Sequence, residues 1–219
     1  EKNEGDGPKM KAVIISGGSR VSDEKVKSVM EDCDLLICAD RGLDHALSYS
    51  LVPDYIIGDM DSVNPRILEA AATSKIITSP AEKDLTDTNL AVEKALESGC
   101  DRIDILCATG LRSDHAIANI RLLLVIESSG ATGRIIDDEN TMYLCTGRTV
   151  FKGKEGMTVS LVSMDSRTKG ITLEGFRYPL TDFDAGMDWV GGISNVITSY
   201  EASVSIERGC LLVAEVEKG

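Results

Sequence analysis

The sequence predicts a Rossmann-like α/β domain, with a parallel sheet covered by helices on both faces, followed by an antiparallel β-sandwich domain. Short apolar runs alternate with helical patterns through about residue 128, which is typical of a parallel sheet. From Ile135 onward the runs alternate in hydrophobicity and are separated by glycines, which is typical of antiparallel strands. We therefore expect domains at residues 10–133 and 134–219, preceded by a polar tail outside the fold.

The composition excludes several classes of protein. Of the 219 residues 42% are hydrophobic and 27% charged, which is ordinary for a globular chain. The net charge of −13 and the absence of a basic run argue against a nucleic-acid partner, because phosphate backbones need clustered Lys and Arg. No apolar stretch approaches the roughly 20 residues that cross a bilayer, and no secretory leader is visible. We expect a cytoplasmic protein with no membrane contact, whose six cysteines are free thiols.

The first two predicted strands end in residues suited to a phosphate or nucleotide. The first, residues 12–15, runs into Ser16, Gly17 and Gly18, and a helix capped by Ser22 follows. The second, residues 35–39, ends at Asp40. Neither a G-x-G-x-x-G fingerprint nor a Walker loop is present, so the glycines alone do not define the ligand.

A pair of aspartates follows the third predicted strand, residues 55–57. Asp59 and Asp61 come after Gly58 and are spaced i and i+2, so an extended chain would point both carboxylates to the same side. Neighbouring carboxylates repel each other unless a cation lies between them, and Mg²⁺ prefers oxygen ligands. The alternative is that both aspartates only cap a turn before the next helix.

The fourth and fifth predicted strands, residues 76–78 and 103–107, are each followed by a polar cluster and a helix. The apolar face of the first helix is predicted at Ala91, Val92, Ala95 and Leu96, and that of the second at Ala116, Ile120, Leu123 and Leu124. The polar clusters are Lys83, Thr86 and Asp87 before the first helix, and Gly110, Arg112 and Asp114 before the second.

Each of these polar residues also has a purely structural interpretation. Thr86 or Asp87 can cap a helix, Arg112 can form a surface ion pair, and Asp114 can face the helix dipole. Because open α/β sheets bind ligands at the carboxyl ends of their strands, we expect the clusters to converge on one site instead. Carboxylates, glycine loops and an arginine suffice for phosphoryl transfer, which needs positioning and charge neutralisation more than covalent catalysis.

Five motifs resemble those of the thiamine pyrophosphokinase family and occur in its order. They are Ala39-Asp40-Arg41-Gly42, Gly58-Asp59-Met60-Asp61-Ser62, Lys83-Asp84-Leu85-Thr86-Asp87, Thr109-Gly110-Leu111-Arg112-Ser113-Asp114-His115 and Gly192-Ile193-Ser194-Asn195. The resemblance implies transfer of the pyrophosphoryl group of ATP to the hydroxyl of thiamine, giving thiamine diphosphate and AMP. It also implies a homodimer with the active site at the subunit interface and with Mg²⁺ as cofactor.

The same resemblance implies a role for each matching residue. The catalytic set would be Asp59, Asp61, Asp87 and Asp114, of which the first three would hold Mg²⁺. The ATP-binding set would be Gly17, Gly18, Asp40, Lys83, Thr86, Gly110 and Arg112. The thiamine-binding pair would be Ser194 and Asn195, in the β domain.

The chain departs from the family pattern at two positions. Some members have Gln where Lys83 stands, and some have an aromatic residue for stacking on thiamine where Thr198 stands. Trp189 or Tyr200 are the candidates to replace that aromatic ring, and packing of thiamine on aliphatic groups is the alternative.

Three other functions remain as alternatives. One is a Mg²⁺-dependent pyrophosphokinase for another heterocyclic alcohol, such as a hydroxymethylpterin. A phosphohydrolase with Asp59 as nucleophile is disfavoured, because that motif normally follows the first strand. A nucleotide-binding module without turnover is the third, and it would not consume ATP when an alcohol is added.

Overall fold

The computed structural model describes residues 9–58, 72–78 and 85–217. Within it the chain divides into two compact units, one ending at Asp137 and one beginning at Asp138. None of the helices in these ranges combines the length and hydropathy that a bilayer crossing requires. All six cysteines are free thiols, and burial raises the pKa of Cys38 above its ordinary value.

The first unit is built on a parallel sheet with strand order β6-β5-β1-β2-β3-β4. Every neighbouring pair in this order is parallel. The two central strands are buried along their whole length, and apart from Lys11 they consist of apolar residues, as expected of a sheet covered on both faces. The strands are β1 (Lys11–Ile15), β2 (Leu35–Ala39), β3 (Tyr55–Gly58), β4 (Lys75–Thr78), β5 (Arg102–Leu106) and β6 (Thr132–Ile136).

Four described helices connect these strands. The buried positions of the third and fourth lie three and four residues apart, so each presents one face to the sheet. The helices are α1 (Asp23–Met30), α2 (Gly42–Ser48), α3 (Asp87–Glu97) and α4 (Ser113–Ser128).

The sixth parallel strand was not foreseen. We expected the parallel part to end at residue 133, but β6 crosses that position, and Ile135 pairs with Ile105 of β5. Only Ile135 and Ile136 of β6 are buried and its first three residues are exposed or half-buried, so the strand lacks the longer buried run of the central strands.

The second unit is an antiparallel β domain with two groups of hydrogen-bonded strands, in the orders β12-β9-β14-β7 and β11-β10-β13-β8. Residues from both groups form one buried core, including Phe151, Leu173 and Val204 from one group and Leu161 and Val213 from the other. The expected sandwich is therefore present. Its strands are β7 (Asn140–Cys145), β8 (Arg148–Lys152), β9 (Thr158–Ser163), β10 (Thr168–Glu174), β11 (Leu180–Ala185), β12 (Asn195–Val196), β13 (Glu201–Ser205) and β14 (Leu211–Val216).

Candidate active site

A cavity of about 340 Å³ lies at the carboxyl ends of β1, β2 and β5, where the first turns of α3 and α4 also begin. This is the edge at which parallel sheets bind ligands, and the volume falls in the range of small-molecule pockets. The lining residues are Ser16, Gly17, Gly18, Ala39, Asp40, Arg41, Thr86, Asp87, Thr88, Ala108, Gly110, Leu111, Arg112, His115 and Asn119.

The glycine loop after β1, residues 16–19, is fastened to the segment after β5. The N–H groups of Ser16, Gly18 and Ser19 donate to the carbonyl oxygens of residues 106, 107 and 109 at 2.7–2.9 Å. A Cβ at Gly18 would lie 2.5 Å from two of these oxygens, so only glycine fits. The N–H of Gly18, which we expected to face a phosphate, is therefore committed to the protein, and its role is close packing of two loops.

A histidine holds the same loop from the other side. His45 in α2 places Nε2 2.9 Å from the carbonyl oxygen of Gly18. The loop is thus fixed through both its N–H groups and one of its carbonyls, which gives the cavity a rigid wall.

The backbone is strained where strands end at the cavity. Asp40, Cys107 and Leu111 have positive φ angles of 48°, 54° and 43°, in the left-handed region that residues with a Cβ rarely adopt. Such conformations cost about 1–3 kcal/mol each and concentrate at functional sites. Their position after β2 and β5 supports the cavity as the functional site.

The first turn of α3 brings Asp87 to the cavity lining. Thr86 is the N-cap, and its hydroxyl accepts the N–H of Asn89 at 3.2 Å. Thr88 belongs to the same first turn, and its buried hydroxyl lies 2.8 Å from the hydroxyl of Ser16 at the end of β1. This contact fixes the distance between the glycine loop and the start of α3, and the interpretation of Thr86 as a helix cap is confirmed.

Arg112 and Asp114 form an ion pair with each other. Nε and Nη2 of Arg112 donate to the two carboxylate oxygens of Asp114 at 3.1 and 2.5 Å. The Arg112 hydrogen bond lowers the pKa of Asp114 to about 2, although both side chains are more than 60% exposed. Asp114 therefore stays ionised and orients the guanidinium, while Arg112 lines the cavity.

Several cavity residues were not predicted as site residues. Arg41, Thr88, His115 and Asn119 all line the cavity, and Asn119 is 5% exposed. We expected Ala116, Ile120, Leu123 and Leu124 to form the buried face of α4. The face actually consists of Asn119, Leu122, Leu123 and Ile126, so the apolar pattern placed it one residue out of register.

The predicted thiamine-binding pair lies at the start of β12. Ser194 is exposed, has a positive φ of 59°, and its N–H donates to the hydroxyl of Ser160. Asn195 is 5% exposed, and its amide both accepts from the N–H of Tyr178 and donates to the carbonyl of Tyr178, at 3.0 and 2.8 Å. In this structure Asn195 fixes the backbone, whereas Ser194 is the accessible member of the pair.

The two aromatic candidates for stacking differ in their surroundings. Trp189 is half-buried, packs against Phe183 with ring centroids 5.5 Å apart, and lies under Gly191 and Gly192. Tyr200 is 68% exposed. Trp189 therefore supports the loop that leads to Ser194, while Tyr200 offers a free ring face.

Three predicted residues, Asp59, Asp61 and Lys83, lie outside the described residues. Within the described ranges no cluster of three His, Cys, Asp or Glu side chains is placed to hold a metal ion. Asp40 and Asp87 nevertheless line one cavity, and carboxylate oxygens are ligands that fit Mg²⁺.

Comparison with known proteins decides the family. Residues 26–132 match the family "Thiamin pyrophosphokinase, catalytic domain". Residues 148–211 match the family "Thiamin pyrophosphokinase, vitamin B1 binding domain". The chain is 30% identical over 205 residues to the thiamine pyrophosphokinase of Bacillus subtilis, covering 91% of this chain and 95% of that protein. The chain belongs to the thiamine pyrophosphokinase family.

Solved structures agree with this assignment. The crystal structure of thiamine pyrophosphokinase from Bacillus subtilis has a TM-score of 0.86 and 27% identity, with 95% of this chain and all of that chain covered. Thiamin pyrophosphokinase from Candida albicans has a TM-score of 0.82 at 18% identity, covering 95% and 90% of the two chains, and supports the fold alone. The two family domains fall on either side of Asp137, where the chain divides into its compact units.

Proposed function

We propose that the chain transfers the pyrophosphoryl group of ATP to the primary hydroxyl of thiamine, giving thiamine diphosphate and AMP. The observation that carries the proposal is the match to both the catalytic and the vitamin B1 binding domain of one family, each within its own compact unit. The cavity at the carboxyl edge of the parallel sheet supplies the place for the nucleotide.

The rim of the cavity suits phosphate groups. Arg41 and Arg112 line it, and the N-termini of α3 and α4 begin there, so two guanidinium groups and two helix dipoles favour negative charge. An acidic chain needs this local concentration of positive charge to bind a polyphosphate. We assign Gly17, Asp40, Lys83, Thr86, Gly110 and Arg112 to ATP binding, and Gly18 contributes by shaping the cavity wall.

The carboxylates supply the proposed metal site. Asp59, Asp61 and Asp87 would hold Mg²⁺, which supplies charge neutralisation at the transferring phosphates when bound. Asp87 belongs to this group because the cap at Thr86 holds the first turn of α3 against the cavity. Asp114 completes the catalytic set by orienting Arg112 toward the phosphates.

The second unit would bind thiamine through Ser194, with Asn195 holding the loop and Tyr200 presenting an aromatic face. Its exposed large hydrophobic side chains, among them Tyr178, Val190 and Tyr200 at 64–80% exposure, support a homodimer that covers them. A cytoplasmic location fits six free thiols.

One incubation with ATP, Mg²⁺ and thiamine tests the reaction, with both products identified by mass. We expect AMP and thiamine diphosphate in equal amounts. ADP with thiamine monophosphate would overturn the reaction class. AMP formed with a hydroxymethylpterin and not with thiamine would keep the class and change the substrate, and ATP that is bound but not consumed would point to a non-catalytic module.

A further inference from the structure

The floor of the cavity differs chemically from its rim. Its buried polar side chains are Ser16, Thr88 and Asn119, at 6%, 7% and 5% exposure, and none of them carries a charge. Phosphates need the charges of the rim, whereas an uncharged polar floor fits a neutral group with hydrogen-bonding atoms at its edge.

Asn119 contributes an acceptor to this floor. Its Nδ2 donates to the carbonyl oxygen of Ala108 at 2.8 Å, which fixes the side chain against the end of β5. In the part of the chain that the structure describes, no group donates to its Oδ1, and because Oδ1 is not among the buried unpaired atoms, it is open to the cavity that Asn119 lines. A ligand that displaces solvent from the cavity leaves this oxygen unpaired unless the ligand itself supplies an N–H or O–H, which favours a ligand with a donor at that position.

Ser16 and Thr88 contribute a donor. Their two hydroxyl oxygens lie 2.8 Å apart and share one hydrogen bond, which uses one of the two hydroxyl hydrogens. Both residues line the cavity, and no other described residue accepts from either hydroxyl, so a ligand in the cavity can accept the second hydrogen. The floor thus offers one acceptor and one donor, from three side chains that are fixed by their protein contacts.

We propose that Asn119 is a specificity-determining residue that recognises adenine, with its Oδ1 accepting a hydrogen bond from the 6-amino group and the Ser16–Thr88 hydroxyl pair donating to a ring nitrogen. Adenine presents an amino donor beside nitrogen acceptors, whereas guanine and hypoxanthine have an oxygen acceptor in place of the amino group. That oxygen would meet Oδ1 with two acceptors facing each other. This inference rests on the proposed function only in placing ATP in the cavity.

The test compares nucleotides by equilibrium binding without thiamine, so its result does not depend on whether thiamine is the substrate. Wild-type chain and Asn119→Ala are titrated in the presence of Mg²⁺ with ATP, with purine riboside triphosphate, which lacks only the 6-amino group, and with ITP. We expect wild type to bind ATP about tenfold or more tightly than either analogue. An acceptor that the complex leaves unpaired weakens the binding affinity by about that factor. In Asn119→Ala the preference for ATP over purine riboside triphosphate should fall to within about twofold, since no acceptor for the amino group remains.

Two controls separate recognition from folding. Asn89→Ala changes an amide on α3 whose side chain bonds Glu93 and no other described residue and does not line the cavity, so it should keep the full preference. Thr88→Val removes the hydroxyl with little change of shape and should weaken ATP and purine riboside triphosphate equally, because both carry the ring nitrogen. Each variant is also melted, and the comparison uses ratios of affinities within one variant, which a general loss of stability does not alter.

Three outcomes would overturn the proposal. One is equal affinity of wild type for ATP and purine riboside triphosphate, and another is an undiminished preference in Asn119→Ala. The third comes from 2′-deoxy-ATP and 3′-deoxy-ATP, included because a ribose hydroxyl could also donate to Oδ1. Asn119→Ala could abolish discrimination against a deoxynucleotide and not against purine riboside triphosphate. In that case Asn119 binds the sugar hydroxyl and not the base.

Discussion

Replacing Gly18 by alanine should damage the cavity more than its single added methyl group suggests. The new Cβ would lie 2.5 Å from the carbonyl oxygens of both Cys107 and Thr109, and these are backbone atoms that cannot rotate away. The loop must therefore move, which lengthens the 2.7 Å bond from Gly18 N–H to Cys107 and the 2.8 Å bond from Ser19 N–H to Thr109. Overpacking of this kind costs about 1–3 kcal/mol of folding free energy.

The assay pairs thermal melting with ATP titration, and Gly147→Ala is the matched control. Gly147 has no atom within 4 Å of its added Cβ and lies in the second unit, so its substitution should leave stability unchanged or raise it by up to about 1 kcal/mol. For Gly18→Ala we expect a lower melting temperature and at least about tenfold weaker ATP binding, because the displaced loop is part of the cavity wall. Wild-type values on both measurements would show that the loop is not held by these contacts.

Three further predictions concern charge and recognition. Asp87→Asn should lower turnover at least about 10²-fold at saturating Mg²⁺ with little change in melting temperature, and near-normal kinetics would remove Asp87 from the metal site. Ser194→Ala should raise KM for thiamine and not for ATP, whereas Asn195→Ala should also lower the melting temperature; an equal rise in both KM values would contradict the thiamine assignment. The Lys11 hydrogen bond lowers the pKa of Asp32 from 3.8 to about 2, so its stabilising effect is present above pH 4 and is lost as the pH falls toward 2. Asp32→Asn should have a lower melting temperature than wild type at pH 5–7, and the difference in melting temperature should narrow below about pH 4. A difference that does not depend on pH would refute the ion-pair explanation.

The α/β part of the fold was predictable from the sequence because its central strands contain short apolar runs and the predicted site residues follow them directly. Residues 12–15 and 35–39 form fully buried strands, and Asp40 and Gly110 lie at the cavity as expected. Hydrophobic periodicity reports burial only, so it could not show which strand β6 pairs with.

The unforeseen site residues have a common physical cause. Asn119 occupies a buried helix position where periodicity favours an apolar residue, and its value depends on the carbonyl of Ala108, eleven residues earlier in the chain. Asn195 carried a ligand role by resemblance, but its amide is used by the backbone of Tyr178. Hydrogen-bond partners between distant segments are set by the packed structure, and residue type and spacing do not determine them.

The amino edge of the parallel sheet has contacts that stabilise the fold, whereas the carboxyl edge has features suited to a ligand. At the amino edge, Lys11 begins β1 with its side chain 3% exposed, bonds Asp32 and lies 3.1 Å from Asp104. Asp104 also accepts two 2.7 Å hydrogen bonds from Arg134 of β6, so these charges join neighbouring strands and are paired within the protein. Removing one partner of a buried pair of this type strongly destabilises the fold.

The carboxyl edge instead has strained backbone and an amide oxygen without a donor among the described residues, to which a ligand can donate. Substitution of Asp32 should accordingly lower the melting temperature and leave ATP affinity unchanged, because its contacts lie at the opposite end of β1 from the cavity.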